Sequence, residues 1–174
     1  MLIFGIDPGL TGAIALWDSE AGGATVWDMP VVAKAMDVHV LHDLLHRGQG
    51  KHSLAMVERQ QAMPGQGVSS TFRAGGNYAS VLTTLTLTGI PFTLVSPARW
   101  KRAMGLNQDK EASRAMALQL FPYLADKLSR KKDEGRAEAL LLMEYGRREH
   151  SHIHEVTQAI RERYGDTEKK VGVV

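Results

Sequence analysis

Residues 2–18 read LIFGIDPGLTGAIALWD, and the fold is decided in this stretch. Leu2 to Ile6 is almost continuously apolar apart from Gly5, as a strand buried on both faces of a sheet should be. Asp7 ends that run, and Pro8-Gly9 forces the chain to turn. Gly9 to Gly12 supply the turn, and Ala13 to Trp17 reads as a second strand. Gly22-Gly23 mark another turn, and Ala24 to Met29 a third strand. Three strands joined by short turns make an antiparallel meander. Asp7 then lies at the carboxyl edge of a central strand, where open α/β sheets place their ligands; its local alternative is a turn aspartate.

Working outward, Val38, Leu41, Leu44 and Leu45 have helical spacing within residues 37–47. Leu54 to Glu58 is a short apolar run ending in an acid. Residues 59–77 hold Pro64, Gly65, Gly67, Gly75 and Gly76 and read as an exposed loop entering a helix that ends near Thr88. Ile90 to Ser96 reads as a buried strand closed by Pro97. Two helices are expected near 108–121 and 134–148, and a polar tail, 149–174, with a short helix at 153–163. The expected order is β-β-β-α-β-α-β-α-α: an α/β fold with a five-stranded mixed sheet, the meander followed by two parallel strands, and helices on both faces. One domain over 1–148 accounts for a chain of this length.

The 174 residues contain no cysteine, which excludes disulfides and thiolate metal sites and agrees with a reducing cytoplasm. No apolar run approaches the roughly 20 residues of a membrane helix, and residues 1–6 read as a strand rather than a signal peptide. A soluble protein with no membrane partner is expected. Net charge is +2, but residues 99–136 alone hold ten basic and five acidic residues. Such a local basic surface suits a polyanion docked on one side, or is simply a solvated face.

Two further acids complete a constellation. If the strand ending in Glu58 pairs in parallel beside the first, Asp7 and Glu58 meet at one sheet edge. Two such carboxylates repel each other unless a cation lies between them. Oxygen-only ligands suit Mg²⁺ or Mn²⁺. Glu138 shares a helix face with Leu141, Leu142 and Tyr145, and an acid on a core-facing stripe must be paired or metal-bound. Its companion is either Asp133 or Glu134. Helix geometry favours Glu134, four residues back on the same face, while Asp133 is suited to cap the helix.

With these residues in view, GIDPGLTGAIA at 5–15, VERQ at 57–60 and KKDEGRAEALLL at 131–142 resemble the three acidic motifs of RuvC-type Holliday junction resolvases, in the ribonuclease H-like superfamily. The likeness spans residues 2–148 and is nearer to the short phage and prophage members. It implies a ribonuclease H-like nuclease domain and a homodimer. It also implies a Mg²⁺-dependent endonuclease, with Mn²⁺ as a substitute, that cuts branched DNA such as four-way junctions by two-metal hydrolysis and leaves 5′-phosphate ends. The corresponding place of work is a bacterial cytoplasm or nucleoid. Matched position by position, Asp7, Glu58 and Glu138 are catalytic, metal-holding carboxylates, and Asp133 supplies the fourth. The family's last motif has two aspartates three apart, whereas Gly135 stands three before Glu138, so Glu134 stays open as the fourth ligand. The aromatic finger of the bacterial enzymes is also absent from residues 59–63.

The segment from Pro97 to Lys110 resembles the family stretch with two phosphate-contacting lysines, which correspond to Lys101 and Lys110. Arg99, Arg102 and Arg114 flank the loop expected there, and Lys131 and Lys132 adjoin the acids. Lys101, Arg102, Lys110, Lys131 and Lys132 are the expected DNA contacts. Trp100 reads as a packing residue, with stacking on a base as its alternative. His150, His152 and His154 alternate in a charged tail and read as solvated. Related nucleases acting on RNA–DNA hybrid or structured RNA would carry the same acids, so the acids do not choose the substrate. A sugar kinase or ATPase, which DPGLTG also resembles, needs two such domains and is excluded by length.

Overall fold

In the computed structural model β1 (Leu2–Asp7) is the middle strand of the main sheet, antiparallel to β2 (Ala13–Asp18), which pairs in turn with β3 (Gly23–Asp28). A small hairpin follows, β4 (Val31–Val32) and β5 (Ala35–Met36), then α1 (Val38–His46) and β6 (Ser53–Glu58). After α2 (Val68–Leu87) come β7 (Phe92–Val95), α3 (Pro97–Ala103), α4 (Lys110–Leu120) and α5 (Glu134–Tyr164). The structure describes residues 1–62, 64–107 and 110–164, with backbone alone at residues 110, 153, 154 and 156–164.

Strand order is β3-β2-β1-β6-β7, with β1–β6 and β6–β7 parallel. The five-stranded mixed sheet is therefore the expected one. Both its faces are covered. Phe4, Ile6, Ile14 and Leu16 pack against Leu41 and Leu45 of α1 and Val81 and Leu85 of α2. Ile3, Ala13, Ala15 and Met56 on the other face meet Ala139, Leu140 and Met143 of α5. Each fully buried leucine contributes roughly 2 kcal/mol. Small residues on the α5 face let that helix come close. A Cβ on Gly5 would collide with the Ala139 carbonyl and the Met143 backbone, so glycine is required there.

Several boundaries differ from the sequence reading, each for a local reason. Ile90 belongs to the end of α2 rather than to a strand: Gly89 takes a left-handed φ of 69°, and the Ile90 N–H donates back to the Leu85 carbonyl. Pro97 does not merely close β7 but occupies the first turn of α3, where its missing N–H costs nothing. The expected loop at 97–103 is thus a helix. The hairpin β4–β5 turns through Ala33 and Lys34, both at positive φ, and carries no glycine signal. Helix α5 runs unbroken past residue 148 to Tyr164, so the short helix expected in the tail is a continuation of α5. The threonines of α2 are accommodated because Thr84, Thr86 and Thr88 donate to carbonyls four residues back. Among the described residues no helix is long and apolar enough to cross a membrane.

Candidate active site

The parallel register pairs Ile6 with Val57, which brings the next residues, Asp7 and Glu58, side by side at the carboxyl edge of the sheet. Asp7 is held by its own turn: the Gly9 N–H donates to Oδ1 at 3.1 Å, and a Cβ on Gly12 would press on the carboxyl group. Helix α5 brings the next acids. At its start Gly135 lies against the Thr11 carbonyl and Gly12 so closely that a Cβ would collide with that backbone. This contact sets Glu134 and Glu138 near Asp7, whose carboxyl group feels the charge of both.

Crowding and burial raise the proton affinity of two acids. Burial pushes the Asp7 carboxyl up to about 6, with Glu138 and Glu134 adding to the rise and the Gly9 N–H and Lys101 opposing it. Burial likewise pushes Glu58 up to about 7; the Trp100 indole opposes the rise, and the charges of Asp7 and Glu138 reinforce it. The Lys101 ammonium stands among these acids, 2.7 Å from Glu138 Oε1, with both side chains 15% exposed. Trp100 is fully buried and donates its Nε1–H to Glu58 Oε2 at 2.9 Å. It packs in the core, as the sequence reading favoured, and it also touches a site acid. A buried indole N–H needs an acceptor. That requirement is the one sequence signal pointing to this role, and it does not name the acceptor.

Asp133, the carboxylate expected as the fourth of the group, is tied to two arginines. It is buried at the short 3-10 turn before α5, accepting from the Arg130 backbone N–H at 2.9 Å and from the Arg130 guanidinium at 2.7 Å. Arg136 approaches it at 3.5 Å while also gripping Asp28. The bond from Arg130 holds Asp133 below the usual carboxylate range despite burial. Asp133 therefore caps the turn, and Glu134 is the residue beside Asp7. Gly135 provides the close approach of α5 here.

The expected DNA contacts divide. Arg102 is exposed and lines a cleft of about 1040 Å³ together with Glu58, Arg59, Gln60, Lys101 and Asn107. Lys131 and Lys132 are exposed on the turn before α5. Lys101 is turned into the acids, and the side chain of Lys110 lies outside the described residues. Arg99 reaches Glu149 at 3.7 Å, and Arg114 is tied to Glu111 and the Ser129 carbonyl. His150 and His152 lie on α5, where residues two apart diverge. His150 meets the His52 ring edge-on, and the side chain of His154 lies outside the described residues. Among the described residues no three His, Asp or Glu side chains stand ready to ligate an ion, and Lys101 is the cation among the acids.

The chain matches no protein-family model and no curated protein. Its structure is similar to that of Thermus thermophilus RuvC in complex with Holliday junction substrate, at 16% identity and a TM-score of 0.53, over 85% of this chain and 96% of that one. A second Thermus thermophilus RuvC structure matches at 19% identity with the same TM-score and coverage. At this identity the likeness speaks for architecture alone. The chain has a RuvC-like, ribonuclease H-like fold.

Proposed function

We propose that this protein is a metal-dependent endonuclease that resolves four-way junctions or other branched DNA. The carrying observation is that carboxylates from three elements distant in sequence, Asp7 of β1, Glu58 of β6 and Glu138 of α5, share one sheet edge with Glu134. The donor chemistry suits a hard divalent cation once Lys101 leaves Glu138 and the acids draw together: it is all carboxylate oxygen, and two members are driven toward protonation when no such ion balances them. Asp7, Glu58, Glu138 and Glu134, rather than Asp133, would hold two Mg²⁺ ions, with Mn²⁺ as a substitute. Bound there, the ions supply the charge that activates a water and stabilises the leaving 3′ oxygen, giving 5′-phosphate ends.

The chain's own residues do the rest. Gly9 and Gly12 fix Asp7, and Gly135 fixes the approach of α5. Lys101, once released from Glu138, is placed to hold a phosphate beside the acids. Arg102, Lys110, Lys131 and Lys132 hold the flanking backbone, contacts that give affinity without sequence choice. Opposed cuts in a junction call for two copies, so the working form is a homodimer. The likeness to the short phage and prophage members rests on the resemblance of the motif at 131–142 and belongs to the same proposal.

The test is to incubate the protein with Mg²⁺ and a four-way junction, a linear duplex, a flap and an RNA–DNA hybrid side by side. Preferential nicking of the junction, abolished in Asp7→Asn, is expected. Preferential cutting of the hybrid would make it a ribonuclease H-type enzyme. No cutting of any substrate with Mg²⁺ or Mn²⁺ would overturn the nuclease reading.

A further inference from the structure

We infer that Trp100 is a positioning residue for Glu58, holding one carboxylate oxygen so that the other is presented to a divalent cation; this rests on the metal-dependent reading above. The indole Nε1–H donates to Oε2 at 2.9 Å and leaves Oε1 outside the bond. The geometry is imposed by the backbone. Glu58 pairs with Val95 of β7, the Arg59 N–H donates to the Val95 carbonyl, and Ser96-Pro97 starts α3 at once. One turn later Trp100 returns over the strand end.

The indole has no freedom to do otherwise. It is fully buried in the cluster that includes Val95, Met104, Ala117 and Phe121, so rotating it would open the core. Its N–H is out of water, and a polar group in that position is costly without its acceptor. The next residue, Lys101, engages Glu138 from the same helix. Helix α3 therefore supplies no oxygen ligand, but it holds one acid from each of two other elements. Hydrogen-bond partners of metal-binding carboxylates set ligand orientation, and losing one typically costs 10–100-fold in metal affinity or activity. A purely packing tryptophan would have no such effect once its volume is replaced.

The experiment is Mn²⁺ titration by calorimetry without DNA, on the full chain, comparing wild type, Trp100→Phe and Trp27→Phe. Trp100→Phe is expected to weaken Mn²⁺ binding on the order of 10-fold, with Trp27→Phe unchanged. Junction affinity in EDTA should stay within about two-fold, and turnover should fall through kcat at unchanged KM. If Trp100→Phe does not fold, β-(3-benzothienyl)alanine placed at 100 keeps the shape and replaces N–H with sulfur; the same loss is expected. Equal Mn²⁺ affinity in wild type and the N–H-free variant overturns the positioning role while leaving the nuclease reading standing. Absence of Mn²⁺ binding in wild type overturns both.

Discussion

Lys101 Nζ lies 2.7 Å from Glu138 Oε1, and its charge also lowers the proton affinity of Asp7 and Glu58. One lysine thus serves as the counterion of three acids, in a place where both partners of the pair are mostly out of water. Removing it leaves carboxylates uncompensated, a more costly change than never having built the pair. Lys101→Met should lower stability by roughly 1–3 kcal/mol in EDTA, and saturating Mg²⁺ should recover much of the loss. Thermal melts with and without Mg²⁺ check this; an unchanged melting temperature in EDTA would count against the counterion role. Junction affinity should also fall, with the slope of log affinity against log salt reduced by up to about 1.

Asp7 and Glu58 make the stability of the metal-free protein depend on pH. Their folded pKa values, about 6 and about 7, lie above the ordinary values of 3.8 and 4.5. The folded state therefore binds protons more tightly than the unfolded chain. The resulting stabilisation is fully present below about pH 4 and is lost as pH rises through 6 to 7. The loss is on the order of 3 kcal/mol for each acid. Asp7→Asn or Glu58→Gln should flatten this slope and raise the melting temperature at pH 8, while abolishing cleavage and leaving junction binding intact. A wild-type stability in EDTA that climbs from pH 5 to pH 8 after other titrations are subtracted would contradict the burial of these acids.

The neighbours Asp133 and Glu134 should separate cleanly. Glu134→Gln removes charge beside Asp7 and should cost on the order of 10²-fold in turnover with little change in melting temperature. Asp133→Asn weakens the ties to Arg130 and Arg136. It should cost about 1–2 kcal/mol of stability while Mn²⁺ affinity stays within about two-fold of wild type. The reverse pattern, an inert Glu134→Gln and a catalytically dead but stable Asp133→Asn, would return Asp133 to the acid group.

Glycines at the α5 contact should be intolerant where a surface helix glycine is not. Gly135→Ala forces a methyl against the Thr11 carbonyl and Gly12, and Gly5→Ala forces one against the Ala139 and Met143 backbone. Each should destabilise by about 1–3 kcal/mol or more, and Gly135→Ala should also weaken Mn²⁺ binding by moving Glu134 and Glu138 off Asp7. Gly76→Ala in α2, where a Cβ meets nothing, should stabilise by about 0.5–1 kcal/mol. Denaturant melts of the three variants provide the comparison.

Local chemistry was enough to read the meander, the two-sided burial of β1 and the placing of Asp7 and Glu58 at strand ends. Hydrophobic period, glycine turns and the Pro8 break act over a few neighbouring residues, and such signals survive in a linear text. The start of α5 was not legible in the same way. Helix spacing favoured Glu134, and family likeness favoured Asp133. What sets Glu134 near Asp7 is Gly135 seating against Thr11 and Gly12, a contact between chain segments more than a hundred residues apart. Trp100 was legible as a packing residue, but its bond to Glu58 spans 42 positions and exists only because β6 and β7 pair. Lys101 looked like a free phosphate ligand because nothing near it in sequence shows that α3 turns it toward Glu138. The sheet edge is where separate elements converge, so which side chains meet there depends on packing distances that no local pattern encodes.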